Sequence, residues 1–541
     1  MTWRSYSNDC LHIMKEREIC FVVGGCMELV KHEIKNCAWK IKNAMQFTMD
    51  DVINVSDNLM DMERLVLVKG NIVIEEAVAM TDRFHVKGSL HYQILYCADK
   101  EGTVFDSLEG KIPFVEYINA DGAKEGDYIE VHASLNDLTV TMLHSRKLSM
   151  KSLVGLDYQV KENEIFDAVT EILDAPKTQM LRREVSMMSL QQQEKREMQV
   201  KEQVEIPANK PNIYQLIWKS VSVSGVQIKP GDGYMIITGD MRVFLVYTGE
   251  EENMPIQYLT MEIPFEERVM EEMCVEEMIS GSFLALNDYH ITVMPDENGE
   301  DRVLSLVADF TLETKLYGED RMELVQDAYA LDMDLKPQWK AFHIQHLLVR
   351  NCAKTKVSDV VEMPKNQAVA QICNVEGSVS IDDTERTSKG ILVEGVVGTQ
   401  ITYLSRENAG LSSATFDIPF SYEIEVDGMT DDITYSIVPF FDQIQGQLLN
   451  ENEVELKAEI SLEVLAFNNE VVHAVLDVEM VAPDDEKKKM MPGIVGYIAK
   501  QGDTLWSVAK EYRTTVERLC QMNNLEKQEI KIGDKLIVVK E

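Results

Sequence analysis

Apolar and polar residues alternate along most of the chain, and one alternating run returns three times. Val86, Gly88, Leu90, Tyr92, Ile94 and Tyr96 occupy every second position and so share one face of a predicted strand. Ile237, Gly239, Met241, Val243, Leu245 and Tyr247 repeat the pattern, as do Val393, Gly395, Val397, Ile401 and Tyr403. Each run pairs a Gly with a Tyr eight positions on (Gly88/Tyr96, Gly239/Tyr247, Gly395/Tyr403), and an Ile-Pro-Phe follows each, at 112–114, 263–265 and 418–420. This is an internal repeat of about 150 residues. Polar turns at 98–102 and 248–252 and further alternating runs, at 138–160 and 303–317, extend the strand reading. The sum predicts a mainly β fold: three antiparallel β-sandwich or barrel-like domains. The matched residues read as architectural. Gly permits close approach, Tyr and Phe fill the core, and Pro, which cannot donate to a ladder, belongs at a strand end or sheet edge.

The pattern changes in the last stretch. Leu505, Val508, Ala509 and Tyr512 fall on one face of a helix, and Val516, Leu519 and Met522 on one face of another. Gly502-Asp503-Thr504 leads into the first helix. Thr514 and Thr515 are both candidate N-caps for the second, and Thr514 has Glu517 three residues on. Flanking runs at 497–499 and near 536 complete a strand–helix–helix–strand (βααβ) unit. It resembles a LysM domain in Gly502-Asp503-Thr504-Leu505-Trp506, Ala509, Asn523-Asn524-Leu525, Ile530 and Gly533-Asp534-Lys535-Leu536. Arg513 and Ile532 depart from it, standing where Gly and Pro are frequent. The resemblance implies a shallow groove for N-acetylglucosamine polymers. Gly502, Asp503, Thr504, Leu505 and Trp506 would line one side, and Asn524, Leu525, Ile530 and Ile532 the other. By spacing alone Leu505, Ala509 and Leu536 are core, whereas Trp506 lies off the apolar stripe.

These patterns divide the chain into repeats at 27–185, 186–340 and 341–482, a linker at 483–494 and a LysM domain at 495–541. The linker is charged and bounded by Pro483 and Pro492, which predicts independent movement of the module. Residues 163–173 fit a short helix or a strand. Residues 1–26 hold three cysteines and no repeat, and read as a non-native or disordered extension with translation starting at Met27.

Charge narrows the partners. The chain of 541 residues carries a net charge of −39. From Val495 onward there are 8 Lys and Arg against 7 Asp and Glu, which leaves 45 against 85 in the remainder. That excess disfavours nucleic acid or an anionic membrane as a partner of the body. Nine scattered cysteines suit a reducing compartment, and no apolar run is long enough for a membrane span or a signal peptide. A phosphate-binding loop, a zincin motif and paired Cys ligands are absent, so no catalytic residue, metal or cofactor is expected. His343 and His346, placed on a helix with Cys352 nearby, read as surface or packed residues.

The whole arrangement resembles the spore-coat morphogenetic family with SPOCS repeats and a C-terminal LysM (SipL-like, distantly SpoVID-like). Beyond the matched Gly, Tyr and Ile-Pro-Phe positions, Ile206 to Ile213 and Ser145 to Leu148 carry the likeness. The resemblance implies a non-enzymatic scaffold in the mother-cell cytoplasm at the forespore surface, docking a SpoIVA-like coat-basement ATPase. Binding of peptidoglycan or its N-acetylglucosamine-containing precursor is the alternative. Self-association is a further expectation.

Overall fold

The computed structural model describes residues 16–22, 25–173, 175, 177–250, 256–365, 368–406, 410–430, 432–481, 493–525 and 529–539. The first repeat comprises β2 (Gly25–Asn54), β3 (Arg64–Met80), β4 (Arg83–Cys97), β5 (Phe105–Asn119), β6 (Tyr128–His144) and β7 (Lys147–Leu173). The second comprises β8 (Thr178–Glu205), β9 (Ile213–Gly231), β10 (Tyr234–Gly249), β11 (Gln257–Met270), the short β12 (Ile279–Ser280), β13 (Phe283–Pro295) and β14 (Asp301–Ala330). The third comprises β15 (Asp334–Glu362), β16 (Val369–Arg386), β17 (Gly390–Ser405), β18 (Leu411–Glu425), β19 (Ile433–Asn450) and β20 (Glu453–Val481). A terminal βααβ unit follows: β21 (Ile494–Ile498), α1 (Leu505–Tyr512), α2 (Val516–Asn523) and β22 (Lys535–Val539).

Each repeat is a sandwich of two antiparallel sheets. One is a three-stranded meander, β3-β4-β5, β9-β10-β11 or β16-β17-β18. The other joins the last strand to the first and the penultimate, as in β2-β7-β6, β8-β14-β13 and β15-β20-β19. The repeated residues meet across the meander. Gly88 lies opposite Phe114, Gly239 opposite Phe265 and Gly395 opposite Phe420. In each case the ring covers the glycine, and a Cβ there would stand 2.7, 2.9 and 2.8 Å from a ring carbon. Tyr96, Tyr247 and Tyr403 are fully buried. The Tyr96 and Tyr247 hydroxyls donate to the Met60 carbonyl (3.0 Å) and the Pro211 carbonyl (3.3 Å), pinning the segment that leads into each meander. Pro113, Pro264 and Pro419 lie on β5, β11 and β18, the edge strands, where the missing N–H costs no ladder bond.

The long first and last strands outrun the sandwich. β2 and β7 pair from Asn54/Lys147 to Glu28/Leu173, whereas β6 accompanies β7 only as far as Lys161. The pairs β8–β14 and β15–β20 do the same, ending at Thr178/Ala330 and Asp334/Val481. The three projecting ribbons pack into one stem. Ile34 and Ala168 of the first, Met187 and Leu324 of the second, and Phe342 and Val472 of the third share a buried cluster. A second cluster towards the tip joins Leu29, Val325 and Val475. The meanders also meet, through Leu67, Leu95, Trp218, Phe244 and Leu411. Beside that cluster Glu376 of the third repeat accepts from Lys69 of the first (2.7 Å) and Ser220 of the second (2.7 Å). Burial alone would raise the Glu376 carboxyl; Lys69 and the hydrogen bonds outweigh it and hold the group below its usual range.

Several expectations change. The boundaries at 185/186 and 340/341 fall inside β8 and β15, because the sequence signal sits in the meander and marks the centre of a unit rather than its ends. Residues 163–173 are strand, and so are His343 and His346, whose ribbon positions alternate apolar and polar. His346 Nε2 lies 3.1 Å from Glu470. Within the supposed extension, Glu16–Val22 forms β1, an edge strand on β2, while residues 1–15 lie outside the described residues.

Candidate functional site

The terminal unit is built by local rules. Thr504 is extended (φ −121°, ψ 159°) and its side chain accepts the Ser507 N–H, while the Ser507 hydroxyl accepts the Thr504 N–H, a capping box at α1. Of the two threonines before α2, Thr515 is the N-cap and Thr514 is buried. Arg513 (φ 53°) and Asn524 (φ 50°) close the helices in the left-handed region, the conformation that a Gly would adopt there without steric cost. Leu505, Val508, Ala509, Leu519, Leu536 and Val538 form the core, so Leu505 belongs to it rather than to a groove surface.

The two walls of the expected groove are tied together. The Ala499 N–H donates to Asp534 (2.9 Å) and the Gly533 N–H to Ala499 (2.8 Å), which sets the turn at 531–534 beside the turn at 500–503. Asp503 is committed to that turn: its carboxylate accepts the Lys500 N–H and the Tyr497 hydroxyl, both at 2.7 Å. The Lys500 N–H above all, with Tyr497, holds the Asp503 carboxyl below its usual range. The bond to Asp503 pushes the Tyr497 hydroxyl up to about 12. Gly502, Thr504, Asn524 and Ile532 are exposed, Ile532 to 71%; Leu525 and Ile530 are half-buried. Residues 526–528 lie outside the described residues.

Trp506 faces the body. Its indole Nε1–H donates to Asp327 of β14 (2.8 Å), and its ring stands edge-on to Tyr329 at 4.9 Å. One turn on, Lys510 donates to both oxygens of Asp327 at 2.7 Å and lies over the Trp339 ring. Arg513 pairs with Asp334, and the Tyr329 hydroxyl donates to the Thr514 carbonyl (2.7 Å). Tyr329 and Leu331 enter the core of the unit itself. The module is therefore seated on the tip of the stem rather than moving independently. The linker composition spoke only for residues 483–494, of which 483–492 lie outside the described residues. The line Trp506, Lys510, Arg513 at i, i+4, i+7 is a legible sign of a docked helix face. Its partners Asp327, Tyr329, Leu331 and Asp334 carry no comparable sign.

Asp327→Ala removes the acceptor shared by Trp506 and Lys510. Losing a charge-assisted bond of this kind costs about 1.5–3 kcal/mol. We expect backbone amides of α1 to exchange at least tenfold faster, with meander amides unchanged. Unchanged exchange in α1 would show that the seat does not depend on Asp327.

Among the described residues, no group of three His, Cys, Asp or Glu is placed to hold a metal ion, and no helix is long and apolar enough to cross a membrane. Residues 61–143 and 368–449 match the family described as SipL, SPOCS domain, and residues 497–539 match the LysM domain. The chain thus matches the SipL-like SPOCS-plus-LysM family, whose domains are binding and scaffold modules. The matched SPOCS segments cover the meander and penultimate strand of the first and third repeats; Ile213–Pro295 has the same strand plan in the second. No curated protein and no solved structure matches the chain.

Proposed function

We propose that the chain is a non-enzymatic sporulation scaffold whose LysM module docks a SpoIVA-like coat-basement ATPase at the forespore surface, on the mother-cell side. The observation that carries this reading is the pairing of a LysM module with SPOCS repeats against which it packs. Gly502, Thr504, Asn524 and Ile532 present an open surface for polar orientation and apolar contact, flanked by Asp503, Leu525 and Ile530, while Leu505 supports it from the core and Trp506 anchors the module. A domain this small offers at most about 600–800 Å² to a partner, so a single contact is modest in affinity and gains from avidity. The second reading, binding of peptidoglycan or its N-acetylglucosamine-containing precursor in the same groove, is favoured by the LysM match itself.

A pull-down with the full chain separates the two, offering the ATPase and insoluble peptidoglycan in parallel arms. We expect capture of the ATPase, and at least a tenfold loss with Ile532→Asp, whose exposure leaves the fold intact by circular dichroism. Capture of glycan alone would replace the first reading with the second.

A further inference from the structure

Two apolar surfaces serve neither the fold nor the groove. The first is the turn after β11. Equivalent turns in the first two repeats are anchored alike. In the first, the Asp82 N–H donates to Ala123 (2.9 Å) and the Ala120 N–H to Asp82 (3.0 Å). In the second, the Gly233 N–H donates to Cys274 (2.9 Å) and the Glu271 N–H to Gly233 (3.0 Å). Ala123 and Cys274 plug the same position, each 1% exposed. The outward residues differ. Around Ala123 the first repeat exposes Asp121, Lys124 and Glu125, whereas the second exposes Met270 (68%), Met273 (63%) and Val275 (41%), interleaved with Glu272, Glu276 and Glu277. The turn after β18 exposes no large apolar side chain among its described residues. The first repeat makes the same turn without these apolar groups, so the fold does not require them.

The second surface is the face of the β21–β22 sheet turned away from the helices. Ile494, Ile498 and Ile537 lie there, exposed to 71%, 58% and 49%. Ile537 is opposite Gly496, and a side chain at Gly496 would meet nothing within 4 Å, so the isoleucines surround a shallow notch. Lys535, paired with Ile498, is exposed on the same face.

We infer that these surfaces bind each other between copies of the chain, the Met270–Met273–Val275 turn of one molecule entering the isoleucine face of the next. Both are apolar, and their rims are complementary: glutamates around the turn, Lys535 on the sheet. Body-to-body contact is opposed by charge, because residues before Val495 carry 85 acidic against 45 basic groups, whereas the terminal module is close to balanced. The contact is not made within one molecule. Cys274 packs on Leu316 and the module on Tyr329 and Leu331, about 40 Å further along β14 at the rise of a strand. Two different surfaces that join head to tail without closing produce an open chain of molecules. The buried area falls well short of the roughly 800 Å² per partner of a stable interface, so association is weak in dilute solution and grows with local concentration. The groove takes no part, and the test needs no partner, so its outcome is independent of the docking reading.

Sedimentation of the full chain in about 0.15 M salt, which screens the repulsion between chains of net charge −39, should show the weight-average mass rising above 61.6 kDa with concentration. Met273→Glu with Val275→Glu should abolish the rise, and so should Ile494→Asp with Ile537→Asp, each with an unchanged thermal midpoint. Mixing the two variants should restore association to a one-to-one pair and nothing longer, since each supplies the surface the other lacks. A wild type that stays monomeric, a variant that still associates, or a mixture that does not pair would each overturn the inference.

Discussion

Lys315→Met is expected to lower the unfolding free energy by about 3–5 kcal/mol, the cost of breaking a buried ion pair by removing one partner. Lys315 of β14 reaches across from the second repeat to Glu130 of β6 in the first (2.5 Å) and also contacts Glu313 (3.3 Å). Glu130 additionally meets Lys161 (2.8 Å) and His132 (3.0 Å), while Glu313 accepts the Tyr128 hydroxyl (2.9 Å). Glu130, Lys161 and Lys315 are all less than 10% exposed, so water does not replace the lost cation. A shift in the urea midpoint equivalent to less than 1 kcal/mol would mean that the network is hydrated. The same site sets an acid limit. Burial would raise the Glu130 carboxyl, but the His132 bond, Lys315 and Lys161 outweigh it and hold the group well below the usual range. Its contribution is therefore full above the unfolded carboxyl value, near 4.3, and is lost as pH falls from there through the folded value. Wild-type stability should drop steeply below about pH 4, and Glu130→Gln should flatten that drop.

Phe265→Ala should cost a similar amount, about 3–5 kcal/mol for a large aromatic side chain removed from a core. Its ring is 4% exposed, covers Gly239 and stacks on Phe310 at 5.7 Å. The pairing makes a sharper forecast. Gly239→Ala alone should destabilise by about 1–3 kcal/mol, since its Cβ would press on the ring, but should cost little once Phe265 is alanine. Gly395 should behave differently: its Cβ would lie 2.2 Å from the Ser380 carbonyl oxygen, against 3.3 Å from the Ser224 carbonyl oxygen at Gly239, and Phe420→Ala leaves that closer backbone contact in place. Unfolding curves for the two double-mutant cycles decide this. Equal rescue at both sites would show that the ring is not what excludes a side chain at Gly239.

What could be read from the chain follows the range of the interactions. The alternation and the recurring Gly, Tyr, Pro and Phe are consequences of pleat and cross-strand contact, so they showed as strands and as a repeat. The LysM unit was legible because capping, helical spacing and turn chemistry are local. The stem was not. Leu29, Val325 and Val475 look like ordinary strand positions, and nothing near any of them announces that they meet. The seat of the module was hidden for the same reason: Asp327 is one carboxylate among many, and its bonds to Trp506 and Lys510 span about 180 residues of sequence. Composition at 483–494 described a tether and said nothing of where its end is held.

In every repeat the opening strand is matched to the closing one, Glu28 to Leu173 and Asp334 to Val481. A chain growing from the ribosome therefore cannot complete a ribbon until the last strand of that repeat has emerged, and the stem needs all three ribbons. The seat for the module is finished only when synthesis has passed Val481, just before the module itself appears. A product that stops early lacks both the seat and its occupant, so the docked LysM domain is a mark of a body synthesised to its end.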